Sequence, residues 1–393
     1  MKYNKLHIHV ILLAGLCSVL SCKMIRPSVQ GRETIPYVRA LLADSLSGRY
    51  GLIRSYDSGT SVGSIAVIGD PETCLMLSDE FLACDRFDNI HGTRRSDRLP
   101  DFAGEVISLY MDEACAPYQP YIPNLADSLR KVTVANALSA LDTVCLLAPF
   151  NVESTVSKDR AKVLILSNSL TSQYGRSDID TLIRASGKKI PLLSPAHAMI
   201  DQVLSSGQRA FNIGVWTDSL TVASGVFPSV FSADYKTRKA SGSTLTAVTP
   251  EPEGDIVKRF YSFLDKWKES AAPLPLDAIL LDDYGVNIDL LTAEIQKIRR
   301  EETTEMLRYS KMLSKDLMFV DIVGALTTEC YRTLRKTNRF THNIAYPKAA
   351  LYQTVSAYEG SRLILTDERY ISFETRMFME ENAPLTMRFY VQN

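Results

Sequence analysis

Residues 211–227 read FNIGVWTDSLTVASGVF, and this stretch decides the fold. The apolar run 211–216, stopped by a polar turn, has the character of a strand buried on both faces. Thr217-Asp218-Ser219 form that turn, and the spacing beyond it predicts a helix. The same alternation continues in both directions. Upstream, 162–166 (KVLIL) predicts a strand with a helix near 177–186, and 190–193 (IPLL) a strand with a helix over 196–205. Downstream, strand 245–248 precedes a helix over 254–269, and strand 278–281 (AILL) precedes one over 288–300. A helix over 303–315, a strand over 317–322 and a helix over 324–336 follow. Continuous apolar strands alternating with amphipathic helices imply an α/β fold, with mainly parallel sheet covered by helices.

The first part of the chain is less regular. Residues 37–47 predict a helix, and 64–68 a buried strand that feeds the turn Gly69-Asp70-Pro71. Residues 78–104 read as a structured loop region. Helical spacing is expected over 101–115 and 125–147, and closing strands near 362–366 and 385–391. A chain of 393 residues is long for one domain and suits two α/β lobes with a cleft between them. The expected divisions are a leader (1–21), a tether (22–36), an N-terminal lobe (37–159) and a second lobe region with C-terminal strands (160–393).

The leader is MKYNKLHIHVILLAGLCSVLSC, residues 1–22. Lys2 and Lys5 precede an apolar run of about 13 residues, short of the ~17–25 that span a bilayer. Ser21 then stands directly before Cys22. This layout resembles bacterial lipoprotein signals of the Bacteroidota type, which implies cleavage before Cys22 and lipid, palmitate included, on its new N-terminus. A plain secretory signal and an uncleaved anchor are the alternatives. No acidic cluster follows Cys22, which under that resemblance implies an outer-membrane anchor facing the periplasm. The formal net charge of −1 leaves no basic excess for phosphates, so nucleic acid is not an expected partner. Cys74, Cys84, Cys115, Cys145 and Cys330 show no metal-ligand spacing, so neither a metal nor a cofactor is expected; free thiols, or one disulfide such as Cys74–Cys84, remain open.

Ligands of open α/β sheets sit beyond the C-terminal ends of the strands. The residues there are Asp70, then Ser167-Asn168-Ser169, Ser194-Pro195, Thr217-Asp218, Thr249-Pro250-Glu251 and Asp282-Asp283-Tyr284. They offer hydroxyl, amide and carboxylate groups to a small polar or carboxylate ligand. The same residue types also serve as helix N-caps and turn formers. Residues 84–105 concentrate Asp85, Asp88, His91, Asp97 and Asp101 with four arginines. A self-satisfied loop, a wall of the ligand site and a metal site are the three readings there. Arg94 or Arg95 would clamp an anion in the second.

Residues 213–227 resemble the strand–turn–helix of the aspartate/glutamate racemase superfamily, in Thr217, Thr221-Val222 and Ser224-Gly225. The order of the neighbouring strand ends is also similar, over roughly residues 160–300. The resemblance implies two catalytic cysteines on opposite faces of a substrate, but the matching positions hold Ser167 and Asp282. It also implies a cleft in which Asn168, Ser169, Thr217, Thr221 and Ser224 surround a carboxylate. A serine hydroxyl is too weak a base without an activating partner. The chain lacks nucleophile-elbow, P-loop, dinucleotide and H-E-x-x-H signatures.

The sequence thus predicts a membrane-anchored periplasmic protein that binds a small polar or anionic ligand in an interlobe cleft through Asp70, Arg94, Arg95, Asn168, Ser169, Thr217, Thr221, Ser224 and Asp283. One alternative is a cofactor-independent isomerase or lyase acting on a carboxylic acid through Ser167 and Asp282. The other is a structural or assembly lipoprotein.

Overall fold

The structure is a computed structural model and describes residues 33–44, 48–113, 115–118, 126–148, 151–206, 211–238, 242–270, 272–343, 345–355, 357–359, 362–364 and 371–375. Cys22, the leader and the expected strand over 385–391 lie outside them.

Fourteen strands are described: β1 (Ser64–Gly69), β2 (Val106–Met111), β3 (Val144–Ala148), β4 (Asn151–Ser157), β5 (Ala161–Leu166), β6 (Leu192–Leu193), β7 (Asn212–Trp216), β8 (Thr244–Val248), β9 (Leu276–Leu281), β10 (Leu313–Asp321), β11 (Lys348–Val355), β12 (Ala357–Glu359), β13 (Arg362–Ile364) and β14 (Ile371–Thr375). The larger sheet has the order β4-β3-β14-β11-β2-β1-β5-β6, and the smaller one β10-β9-β7-β8; β12 and β13 pair only with each other. All pairings within the smaller sheet are parallel, as are those joining β11, β2, β1, β5 and β6. β14 runs antiparallel to β11, and β4 antiparallel to β3. The protein is therefore an α/β fold of mainly parallel sheets flanked by helices. The expected boundary at residue 160 falls inside the larger sheet, because β5 pairs with β1.

Strand periodicity distributes the core. Ile65 and Val67 of β1 and Val163 and Ile165 of β5 face inward, toward an apolar core shared with Ile213, Val215, Ala278 and Leu280 of the smaller sheet. Between the sheets lie helices Pro71–Ala83, Pro195–Leu204 and Ile322–Thr337, which contribute Phe81, Met199 and Leu326 to that core. The alternate residues, Ala66, Ile68, Leu164 and Leu166, face a second core under helices Ala126–Leu141 and Ser169–Ser186. Ile279 and Leu281 face a third, with Phe263 and Trp267 of helix Ile256–Glu269. The central strands β1, β5, β7 and β9 are thus buried on both faces, which explains why they carry no polar alternation.

Three expectations are corrected. Residues 101–115 are not helical: 106–111 (VISLYM) form β2, a central strand with Ile107 to Met111 all buried. The expected loop over 78–104 begins later, because the helix from Pro71 continues to Ala83. The helical spacing over 125–147 ends at Leu141, and β3 follows. The five described cysteines are free and buried, so Cys74 and Cys84 are not bridged. Among the described residues no helix is long and apolar enough to cross a membrane.

Two buried charge clusters sit away from the strand ends. Lys162 and Glu105 pair at 2.6 Å with both side chains fully enclosed. Arg339 donates to the Tyr56 hydroxyl and to the carbonyls of Lys162, Ser58 and Lys189, tying the segment after helix Ile322–Thr337 to the larger sheet.

Candidate active site

The C-terminal ends of β5, β7, β8 and β9 open on one cavity of about 560 Å³ between the two sheets. Its wall includes Ser167, Asn168 and Ser169 from the larger sheet, and Thr217, Thr221, Asp282 and Asp283 from the smaller one. Sequence reasoning assigned these seven residues to one site, and the fold brings them together.

Asp282 stands between the hydroxyls of the cavity wall. Its backbone N–H donates to Trp216 O at 2.9 Å, which fixes it at the end of β9 beside β7. Its carboxylate accepts the Ser169 hydroxyl at 2.7 Å and the Thr217 hydroxyl at 2.8 Å. Enclosure by protein pushes its pKa up to about 7, the two hydroxyl donors pull it down, and neighbouring Asp218 and Asp283 add to the rise. Burial penalises the ionised form more than two neutral donors reward it. At neutral pH both protonation states are therefore populated, as an acid–base group needs.

Ser167 lies across the cleft and is fully enclosed (0% exposed). Its Oγ is 2.7 Å from Thr73 Oγ1, and the Thr73 hydroxyl donates to Asp70 Oδ2 at 2.8 Å. Asp70 thus reaches the cavity wall through Thr73 and Asn168, while its other oxygen caps the helix from Pro71 by accepting Thr73 N–H. β1 approaches closely here: a Cβ on Gly69 would lie 1.9 Å from Ser167 Oγ, so this position requires glycine. On the other side, the Tyr284 hydroxyl donates to Ser167 O at 2.7 Å.

The hydroxyls of the expected carboxylate cradle are engaged within the protein. Ser169 and Thr217 spend their protons on Asp282. The Thr221 hydroxyl donates to Asp218 Oδ2 at 2.6 Å, and the Ser224 hydroxyl to Thr221 O at 2.7 Å. Ser224 is also not part of the cavity wall. Asn168 caps helix Ser169–Ser186 through Leu170 N–H, and its amide nitrogen is 3.5 Å from Asp70. These residues cap helices and set Asp282; they offer an anion little.

Arg94 and Arg95 are exposed and do not line the cavity. Their loop docks elsewhere: Phe87 stacks on Tyr331 at 4.3 Å, and Arg335 donates to the carbonyls of Asn89 and Ile90. Its carboxylates are consumed locally. Asp85 accepts from Ser96 Oγ and from the N–H groups of Asp97 and Arg98, and Asp101 from those of Arg86 and Phe87. Among the described residues no group of three His, Cys, Asp or Glu side chains is placed to hold a metal.

Tyr284, at the expected strand end, also lines the cavity, as do Thr73, Arg259 and Lys266, which sequence reasoning did not assign to the site. Arg259 donates to Asp283 Oδ2 at 2.6 Å, with its guanidinium 5.2 Å from the centre of the Trp216 ring. Lys266 pairs with Glu251 at 2.5 Å.

No protein-family model matches the chain, and no curated protein matches it. Similar solved structures include glutamate racemase isoform RacE1 from Bacillus anthracis, with a TM-score of 0.46 and 14% identity, covering 75% of this chain and 89% of that one. Glutamate racemase from Francisella tularensis, solved in complex with D-glutamate, gives 0.46 and 13% over 74% and 88%. The enzyme from Aquifex pyrophilus gives 0.42 and 15% over 74% and 89%. Likeness at this level is distant, and the function rests on the chain's own residues.

Proposed function

We propose that the cleft moves a proton at a carbon next to a carboxylate in a small acid, with Asp282 as the acid–base group. One observation carries this reading. Asp282 is a carboxyl held near pH 7 on the wall of a cavity of about 560 Å³. In its ionised form it takes the proton from the carbon, and the C–H electrons pass into the adjacent carboxyl as an enediolate. Asp282, now protonated, returns the proton to the far carbon of an adjoining double bond in the acid, so that the double bond shifts; return to the same face of the same carbon only restores the starting acid and is seen as exchange with solvent. The reaction is an isomerisation, or a lyase step if a leaving group departs from the enediolate instead. No group beyond these side chains is needed. Ser167 takes the place opposite, where its hydroxyl contacts that of Thr73, which in turn donates to Asp70.

Deuterium wash-in from D2O at the α-carbon of small carboxylic acids, followed by NMR, tests this. Exchange with the native protein and its loss in Asp282→Asn is the expected result. Exchange that survives the substitution sinks the assignment. A second reading is capture of a small polar ligand without chemistry. It is favoured by Ser167, whose fully enclosed hydroxyl contacts only the Thr73 hydroxyl and the Cys74 thiol, and burial pushes that thiol well above its ordinary range, so it is a poor base. Thermal stabilisation by an acid with no exchange at its carbon would select it, because a ligand that binds only the folded state stabilises by mass action.

We also place the protein in the cell envelope, lipid-anchored through Cys22 and facing the periplasm, on the pattern of residues 1–22. Labelling with an alkyne-palmitate tests this; label that persists in Cys22→Ala argues against it.

A further inference from the structure

We infer that Arg259 is the residue that reads the ligand's carboxylate, an assignment that rests on the acid–base reading of the cleft and names what that reading leaves open. The hydroxyls of Ser169, Thr217 and Thr221 are spent, as described above. The cavity wall carries two cationic side chains, Arg259 and Lys266. Lys266 is held by Glu251 at 2.5 Å, on the side where Glu251 is largely exposed.

Arg259 is built differently. It projects from helix Ile256–Glu269, and its guanidinium lies over the ring of Trp216 at 5.2 Å from the centre. Trp216 is fully buried at the end of β7 and stacks on Phe263, so the platform is rigid. Asp283 fixes one edge of the fork at 2.6 Å, and Asp283 is itself fixed by accepting Gly285 N–H at 2.9 Å. Arg259 Nε is buried and has no acceptor. An enclosed guanidinium donor without an acceptor is a standing cost to the folded state.

The guanidinium fork matches the two oxygens of a carboxylate, and a planar group over an indole is preorganised for it. A phosphate dianion would need further donors, and the spent hydroxyls do not supply them. Asp283 follows Asp282 directly in the chain, so the anchor and the acid–base group are fixed by one turn. The carboxylate is held on the side of helix Ile256–Glu269, which leaves the adjoining carbon for Asp282. Arg259 is thus a specificity-determining residue that selects acids over their neutral analogues.

The test measures binding of malonate and succinate, and of malonamide and succinamide, to the full chain by calorimetry, with inorganic phosphate as a further probe. Native protein is expected to prefer each acid over its amide by roughly tenfold or more. Arg259→Gln is expected to bring that ratio to within about twofold, and Arg259→Lys to leave an intermediate preference, since charge remains and the fork is lost. Asp282→Asn is expected to keep the preference while losing α-carbon exchange, which separates the anchor from the chemistry. A preference unchanged in Arg259→Gln, no binding of either acid by native protein, or equal binding of phosphate through Arg259 overturns the assignment. Melting temperatures without ligand identify any variant that fails to fold, and in that case Arg259→Lys alone decides: an undiminished preference overturns the assignment.

Discussion

Ser169 at the end of β5 donates its hydroxyl to Asp282 at the end of β9, 2.7 Å away, while Tyr284 sends its own hydroxyl back to the carbonyl of Ser167 at 2.7 Å. Two hydrogen bonds of opposite direction therefore join the two sheets at the floor of the cleft. One of them ends on the group that titrates, so sheet-to-sheet contact and acid–base state are coupled.

Asp282 should make the native protein less stable as pH rises. Its folded pKa of about 7 lies above the ordinary carboxyl value of 3.8, so the unfolded chain gives up this proton first. The contribution is most favourable below about pH 4, declines through pH 7 and is flat beyond, for a total on the order of 4 kcal/mol. Asp282→Asn should remove this slope and be the more stable form at pH 8. Urea unfolding at pH 4, 6 and 8 measures it, and identical slopes for the two proteins would contradict the titration.

Ser169→Ala and Thr217→Val each remove a donor to the ionised carboxylate. Asp282 should then titrate higher, by about one unit for each. The pH midpoint of α-carbon exchange should move up, and the rate at pH 7 should fall because less of the base form is present. A 13C NMR titration of labelled aspartate reads the same shift without relying on activity.

Gly69→Ala places a methyl 1.9 Å from Ser167 Oγ and 3.3 Å from its Cβ, so the buried Ser167 side chain has to move. Overpacking of this kind costs about 1–3 kcal/mol. Gly51→Ala is the matched control: it lies in helix Gly48–Arg54, and its added methyl meets nothing within 4 Å. The first variant should lower the urea midpoint, and the second should leave or raise it.

Lys162→Met should cost about 3–5 kcal/mol, because it leaves Glu105 buried without its charge partner. Adding Glu105→Gln should recover part of the loss, since the amide carbonyl still accepts Thr341 N–H, which Glu105 Oε1 accepts at 2.8 Å. Denaturant unfolding of the single and double variants measures this. A double variant as unstable as the single one would show that the pair's charge is not the cause.

The legible parts of this sequence were those whose signal is local. β7 and β9 are short apolar runs ended by polar turns, and the strand-end rule led directly to Ser167, Thr217 and Asp282. β2 was misread because a strand buried on both faces has no alternation, so VISLYM also fits a helical face. β11 and β14 were missed because they gain their stability from partners far along the chain. Arg259 carries no signal of its own within the helix expected over 254–269; only the position of Trp216 beneath it sets it apart. The loop with Arg94 and Arg95 was sent to the wrong place because charge says nothing about where a loop docks. The Phe87–Tyr331 stack decides that.

The position of β11 has a consequence for how this chain is made. It lies between β2 and β14, pairing Lys348 with Val106 and Gln353 with Met111. During synthesis β2 can already dock on β1, but its other edge has no neighbour until residue 355 has emerged. Such an edge is a template for another chain. A nonsense change or proteolytic cut ahead of residue 348 should therefore yield an aggregating fragment, not a smaller soluble protein. Residues 348–355 act as a late seal, and any shortened form meant for study has to retain them.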